Sequence, residues 1–182
     1  MPAAKIMLIR HAEKPEGGVG PGLMPNGAEN PRALTRDGWK RANALVGLFN
    51  PPDGALPRPP LAKPMSLFAS GSESLRPKQT VAPLAAALNL SIRTFLKGQE
   101  VELVAAAKKS EDPVLISWQH EAIPDIAALI RGGPDSVPTK WPGHVYDLVW
   151  VLDLQPSGAW SFTQVPQLVM PSDSKNPIAL DA

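Results

Sequence analysis

The sequence predicts an α/β protein: a mostly parallel sheet with helices on both faces and an antiparallel hairpin at its C-terminal edge. Short apolar runs alternate with stretches of helical periodicity in the order β-α-β-α-β-α-β-α-β-β, the pattern of a parallel sheet wrapped by helices. The last two strand-like runs flank a Pro-Ser-Gly turn, which reads as a hairpin. Charged and imidazole side chains stand just after the first, second and fourth strands.

Each element follows from its own signals. Residues 5–9, KIMLI, form a buried strand that stops at Arg10-His11. Residues 15–32 are rich in Gly and Pro and read as a long irregular loop, the kind that forms lids or binding loops. Thr35 is placed to cap a helix, and Trp39, Ala42, Leu45, Val46 and Phe49 recur at three- and four-residue spacing until Asn50-Pro51-Pro52 ends it. A second Pro-rich loop spans 51–64. MSLFAS (65–70) is the next strand, and a polar SGSES turn leads to a helix starting near Arg76-Pro77, with Pro83 a candidate kink. SIRTF (91–95) is a short strand. Residues 99–109 are helical, with Lys108 and Lys109 at the negative end of the dipole. VLISW (114–118) is the clearest buried strand; IPDIAALI then forms a helix closed by Gly132-Gly133. DLVWVLDL (147–154) and WSFTQV (160–165) make the hairpin. Residues 1–170 are expected to form one domain and 171–182 a mobile tail.

Composition narrows the function. Eighteen basic against 17 acidic residues leave a net charge of +1, which argues against a general nucleic-acid binder. The absence of cysteine excludes disulfides, thiolate metal sites and a Cys nucleophile. Pro is abundant, at 22 of 182 residues or about 12%, against roughly 5% on average, and it falls mostly in the loops. No stretch approaches the ~20 apolar residues of a membrane span. The expectation is a soluble cytoplasmic protein with neither membrane nor nucleic-acid partners.

In open α/β sheets ligands bind beyond the carboxyl ends of the strands. Arg10, His11 and Glu13 follow the first strand, Arg76 heads the helix after the second, and His120 and Glu121 follow the fourth. A parallel sheet brings them to one rim, which the sequence suggests faces solvent. Two guanidinium forks match the oxygens of a phosphoryl group, a helix N-terminus adds amide donors, an imidazole can attack phosphorus, and a carboxylic acid can protonate the leaving oxygen. Together they describe phosphoryl transfer through a phosphohistidine. A His/carboxylate metal site made of His11, Glu13, His120 and Glu121 is disfavoured by two arginines at the same rim. SGSES lacks the Gly-x-Ser-x-Gly elbow of a serine hydrolase. His144, Trp141, Tyr146 and Trp150 read as loop and packing residues.

Four segments resemble the histidine phosphatase superfamily, also called phosphoglycerate mutase-like. LIRHAEKP (8–15) is similar to its Arg-His-Gly signature, with Ala12 in the Gly position. LTRDGWKRANAL (34–45), FASGSESLRPKQT (68–80, with Arg76, Gln79 and Thr80) and VLISWQHEAIPDI (114–126) resemble the segments that follow, in family order. The resemblance implies a three-layer α/β/α sandwich and a metal-independent phosphatase without cofactor. In it His11 is the phosphorylated nucleophile, and Arg10, Arg76 and His120 bind the phosphoryl oxygens. It places a general acid at Glu121, next to the second histidine, where Asp is usual, or at Glu100, which opens the helix after the third strand; Glu13 is a further alternative. Glu121 is preferred because its neighbour fixes its position. The substrate class is a small phosphomonoester or a phosphoprotein. A phosphomutase, or a phosphate-binding domain of weak or no activity, are the alternatives.

Overall fold

The structure, a computed structural model, describes residues 2–180. Six strands, β1 (Lys5–Arg10), β2 (Ser66–Ser70), β3 (Ile92–Phe95), β4 (Val114–Trp118), β5 (Leu148–Leu154) and β6 (Trp160–Pro166), form one sheet in the order β3-β2-β4-β1-β5-β6. β3, β2, β4 and β1 are mutually parallel, whereas β5 and β6 run antiparallel at the edge, as the sequence predicts. The helices are α1 (Arg36–Phe49), α2 (Arg76–Leu88), α3 (Glu100–Lys108) and α4 (Ile123–Arg131).

Alternation along β1 divides the core in two, because successive strand side chains point to opposite faces. Met7 and Ile9 pack with Leu67, Leu115 and the apolar sides of α1 and α2. Ile6 and Leu8 pack with Phe68, Ile116, Trp118 and the apolar sides of α3 and α4. The result is the three-layer α/β/α arrangement.

Local chemistry sets the helix ends. The Thr35 hydroxyl accepts from the Gly38 amide at 3.2 Å, capping α1. α1 also crosses the loop after β1 so closely that a Cβ on Gly38 would lie 2.5 Å from the Glu13 carbonyl oxygen, so this position requires glycine. α4 stops at Gly132, whose φ of 84° is the left-handed cap that glycine adopts without strain. The loop over 15–32 holds only an isolated bridge, Leu23 to Glu29, and is anchored where the Trp39 indole donates to the Leu23 carbonyl at 2.8 Å.

The C-terminal segment corrects the expectation of a mobile tail. Its described part, 171–180, is docked on the body; residues 181–182 lie outside the described region. Asp173 pairs with buried Arg41, the Ser174 amide donates to Asp147, and the backbone of Ile178 exchanges two hydrogen bonds with the Gln164 side chain. Polar composition suggests mobility, but Asp173, the Ser174 amide and the Ile178 backbone find partners elsewhere in the chain. Among the described residues no helix is long and apolar enough to cross a membrane.

Candidate active site

The carboxyl ends of β1 and β4 lie side by side, with Arg10 opposite Trp118 in the parallel register. Where β1 ends, the His11 amide donates to the Trp118 carbonyl at 3.0 Å, prolonging the pairing by one residue. The next amide, of Ala12, donates to the Thr80 hydroxyl at 2.8 Å, and that hydroxyl donates to the Arg76 carbonyl at 2.8 Å. The Glu13 carbonyl accepts from both the amide and the hydroxyl of Thr35. The loop after β1 is thus fastened in consecutive residues to β4, α2 and the cap of α1.

His11 is 4% exposed, so the rim is not solvent-facing at this position, contrary to the sequence expectation. α1 approaches the loop closely at Gly38, and the Tyr146 ring centroid lies 6.3 Å from that of the imidazole. Its Nδ1 lies 2.7 Å from the Ala12 carbonyl, which can only accept, so Nδ1 carries the proton and Nε2 the lone pair. Burial, then the charges of Arg10, Arg76 and His120, push the imidazole down to about pKa 3, against the opposing pull of the Ala12 carbonyl. At neutral pH the ring is therefore uncharged.

Three arginines lie at or near this loop, and their partners separate them. Arg41, on α1, is 3% exposed and saturated: Nε and Nη2 reach Glu13, Nη1 reaches Gln167, and both Nη atoms fork onto Asp173. Burial would lower its pKa, but the bonds to Asp173 and Glu13 outweigh it and raise it. Arg10 is as buried, at 1%, yet its Nε has no partner. Nη1 donates to the Gly143 and Val145 carbonyls at 2.6 and 3.1 Å, and Nη2 contacts the Tyr146 hydroxyl at 3.2 Å. Arg76 donates through Nη1 to the Pro31 carbonyl at 3.0 Å, and its Nε too is buried and unpartnered. Buried polar atoms without partners are uncommon in proteins and call for a reason. Here two cationic donors near a neutral imidazole are left without a protein partner. Burial lowers the pKa of both arginines.

His120 follows β4 and is also held below the ordinary imidazole range, by burial and then by Arg10, with Glu121 opposing. Its Nδ1 lies 3.4 Å from Glu121 Oε2, and Glu121 itself is 60% exposed. Glu100, at the start of α3, accepts from the Gly98 amide at 3.2 Å and the Trp118 indole at 3.3 Å. Glu100 and Glu121 line one groove of about 510 Å³ with Lys97, Val101 and Asp125. Glu13 is directed elsewhere, into its ion pair with Arg41. Among the described residues no three His, Asp or Glu side chains are grouped to hold a metal ion.

Tyr146 enters the site although its sequence reads as packing. Its ring lies 3.8 Å from Arg10 Cζ, and its centroid is 6.3 Å from that of His11. A signal for it existed. In a parallel sheet the rim collects residues that follow strands, but an antiparallel strand presents the residues that precede it. β5 pairs antiparallel with β1, Val149 opposite Ile9, so residues 143–147 arrive at the end of β1. Gln119 is a second such residue: its Nε2 donates to Ser70 at 2.8 Å, while its buried Oε1 has no partner.

No family model matches the sequence, and no curated protein matches it. Solved structures match over most of the chain. A protein assigned as an alpha-ribazole-5'-P phosphatase from Escherichia coli str. K-12 is 13% identical, with 90% of this chain and 96% of that one aligned at a TM-score of 0.54. A mycobacterial glucosyl-3-phosphoglycerate phosphatase in complex with VO3 is 14% identical, over 88% and 98% of the two chains, at 0.53. A protein assigned as the phosphohistidine phosphatase SixA of Agrobacterium tumefaciens is 19% identical, over 89% and 96%, at 0.50. The architecture is thus that of an α/β/α protein with its site at the carboxyl rim of a mixed sheet. More narrowly, the fold is the one that these solved phosphatase structures share.

Proposed function

We propose that the protein is a metal-independent phosphatase, acting in the cytoplasm on a phosphomonoester or phosphoprotein through a phosphohistidine on His11. Residues 1–170 form the catalytic domain in this reading, with 171–182 as a C-terminal extension. The observation that carries it is a neutral His11, its lone pair on Nε2, with two nearby guanidiniums, Arg10 and Arg76, whose buried Nε atoms have no protein partner. The names of the proteins that share the fold support the same reaction class.

In the first step Nε2 attacks phosphorus; the N–P bond forms as the bond to the leaving oxygen breaks. That oxygen takes a proton from a carboxylic acid, Glu121 in our assignment. Arg10, Arg76 and His120 hold the three equatorial oxygens, where charge gathers in the transition state. In the second step water attacks phosphorus, gives its proton to the same carboxylate, and the N–P bond breaks to release inorganic phosphate. Glu100 is the competing acid, because it lines the same groove and is oriented by the Trp118 indole.

The test is hydrolysis of an aryl phosphate in the presence of a chelator, with rapid acid-free quenching to trap label on the protein. Turnover with base-stable, acid-labile label on His11 is expected. Phosphate binding without turnover would identify a binding domain instead, transfer between two hydroxyls of one substrate would identify a mutase, and label on Ser70 or Ser72 would remove His11 from its role.

A further inference from the structure

We propose that Tyr146 is a positioning residue that fixes the plane of the Arg10 guanidinium for phosphoryl binding. The inference rests on the reading of Arg10 as an anion-binding group and goes beyond it, by assigning what fixes that group. An arginine side chain has several rotatable bonds, and a fork recognises a tetrahedral anion only when its plane is set in advance.

Three residues set the plane of Arg10, and all come from one short segment. The Gly143 and Val145 carbonyls take Nη1 at 2.6 and 3.1 Å. The Tyr146 ring stacks at 3.8 Å from Cζ, and its hydroxyl meets Nη2 at 3.2 Å. The segment is itself fixed, since the Trp141 indole donates to the Val145 carbonyl at 2.9 Å. The two carbonyls hold Nη1 in place, and the ring face sets the tilt of the guanidinium plane. With Nη1 and Nη2 engaged, Nε is the donor left buried and unpartnered.

The aromatic face also suits the electrostatics. Arg10 is a nearly fully buried cation without a carboxylate partner in hydrogen-bond contact, unlike Arg41, which has two. A carboxylate there would neutralise the charge that attracts phosphate. The negative face of a neutral ring stabilises a buried cation while leaving its net charge intact. Burial raises the Tyr146 phenol above its usual pKa, so the ring stays neutral beside Arg10. The segment reaches the second histidine as well: a Cβ on Gly143 would lie 3.6 Å from His120 Nε2. A stretch of four residues therefore borders His11, Arg10 and His120 together.

The test compares Tyr146→Phe, Tyr146→Leu and Tyr146→Ala. The readouts are the Kd of inorganic phosphate by calorimetry, and KM and kcat for an aryl phosphate. Loss of the ring weakens phosphate binding by at least about tenfold in the Leu and Ala variants, with KM rising in parallel and kcat/KM falling by at least the same factor. Phe keeps the ring and restores binding to within about threefold of wild type. Leu fills the same space, so it decides the matter if the Ala variant does not fold. Wild-type phosphate affinity in the Leu variant would overturn the proposal, as would a Phe variant as impaired as Leu. A wild-type protein that binds no phosphate would overturn it too, by removing the anion site. A wild type that binds phosphate without turning over would end the hydrolase reading, while the Kd series would still decide the role of Tyr146.

Discussion

At the scale of the residue, the protonation state of His11 organises the site. A charged imidazole is no nucleophile, and the pocket keeps it neutral by burial and by three surrounding cationic or imidazole groups. Nitrogen-resolved NMR of the free protein should show His11 as the neutral Nδ1–H tautomer from pH 7 down to about pH 4.5; an imidazolium signal at pH 5.5 would contradict the geometry. The same shift links to stability. The folded pKa of about 3 lies below the unfolded value near 6.5, so between them the unfolded chain binds a proton that the folded chain does not. His11 thus carries no penalty above pH 6.5 and increasingly destabilises the fold as pH falls towards 3. Urea midpoints at pH 7 and 4.5 should converge more for His11→Ala than for wild type, and equal losses would show that His11 does not titrate low. His11→Ala should also abolish turnover. Arg76→Lys retains the charge but lacks the Nε donor, and a fall of at least about tenfold in kcat/KM is expected.

At the scale of the element, the site depends on how three loops are stitched together. The Thr80 hydroxyl is the stitch between α2 and the loop after β1, accepting from Ala12 and donating to the Arg76 carbonyl. Thr80→Val conserves shape but leaves the buried Ala12 amide without a partner, which costs roughly 1–3 kcal/mol. We expect a lower denaturation midpoint and a lower kcat, because the freed amide lies next to His11; Thr80→Ser should recover both. Gly38→Ala tests the approach of α1 from the other side, since its Cβ would collide with the Glu13 carbonyl. The two candidate acids belong to different elements, Glu121 to the end of β4 and Glu100 to α3. An acid assists a poor leaving group far more than an aryl oxide. Glu121→Gln should therefore slow alkyl phosphates much more than aryl phosphates. If Glu100→Gln shows that selectivity and Glu121→Gln does not, the proton comes from α3.

At the scale of the whole molecule, the C-terminal segment is joined to the site through Arg41. One buried guanidinium bridges Glu13, two residues past His11, and Asp173, in the stretch that reads as a tail. Burial would raise the Asp173 carboxyl, but the bonds and charge of Arg41, with the Met170 and Val169 amides, outweigh it and hold the pKa low. Asp173 therefore stabilises the fold at neutral pH, and that contribution is lost as pH falls through its lowered pKa. Removing one partner of a buried ion pair typically costs about 3–5 kcal/mol. Asp173→Asn should destabilise the protein by an amount of that order, less what Glu13 retains, as measured by urea unfolding at pH 7. No change would mean that the segment contributes nothing to the body.

The sequence alone determined the order of elements and most of their bounds, because strand runs, caps and Pro/Gly breaks are local signals: Thr35 caps α1, and Gly132 ends α4. It also brought Arg10, His11, Arg76, His120 and Glu121 forward as one group, because the carboxyl ends of parallel strands meet at one rim and the motif order resembles a known family. What tertiary structure alone decided lies in contacts between residues far apart in the chain. It buried His11, turned Glu13 to Arg41, docked Asp173 across 132 residues of sequence, and set Tyr146 against Arg10 across 136. Local pattern carries no record of such pairs. Their geometry depends on which strand lies beside which, and on the antiparallel turn of β5 that carries its leading loop back to His11.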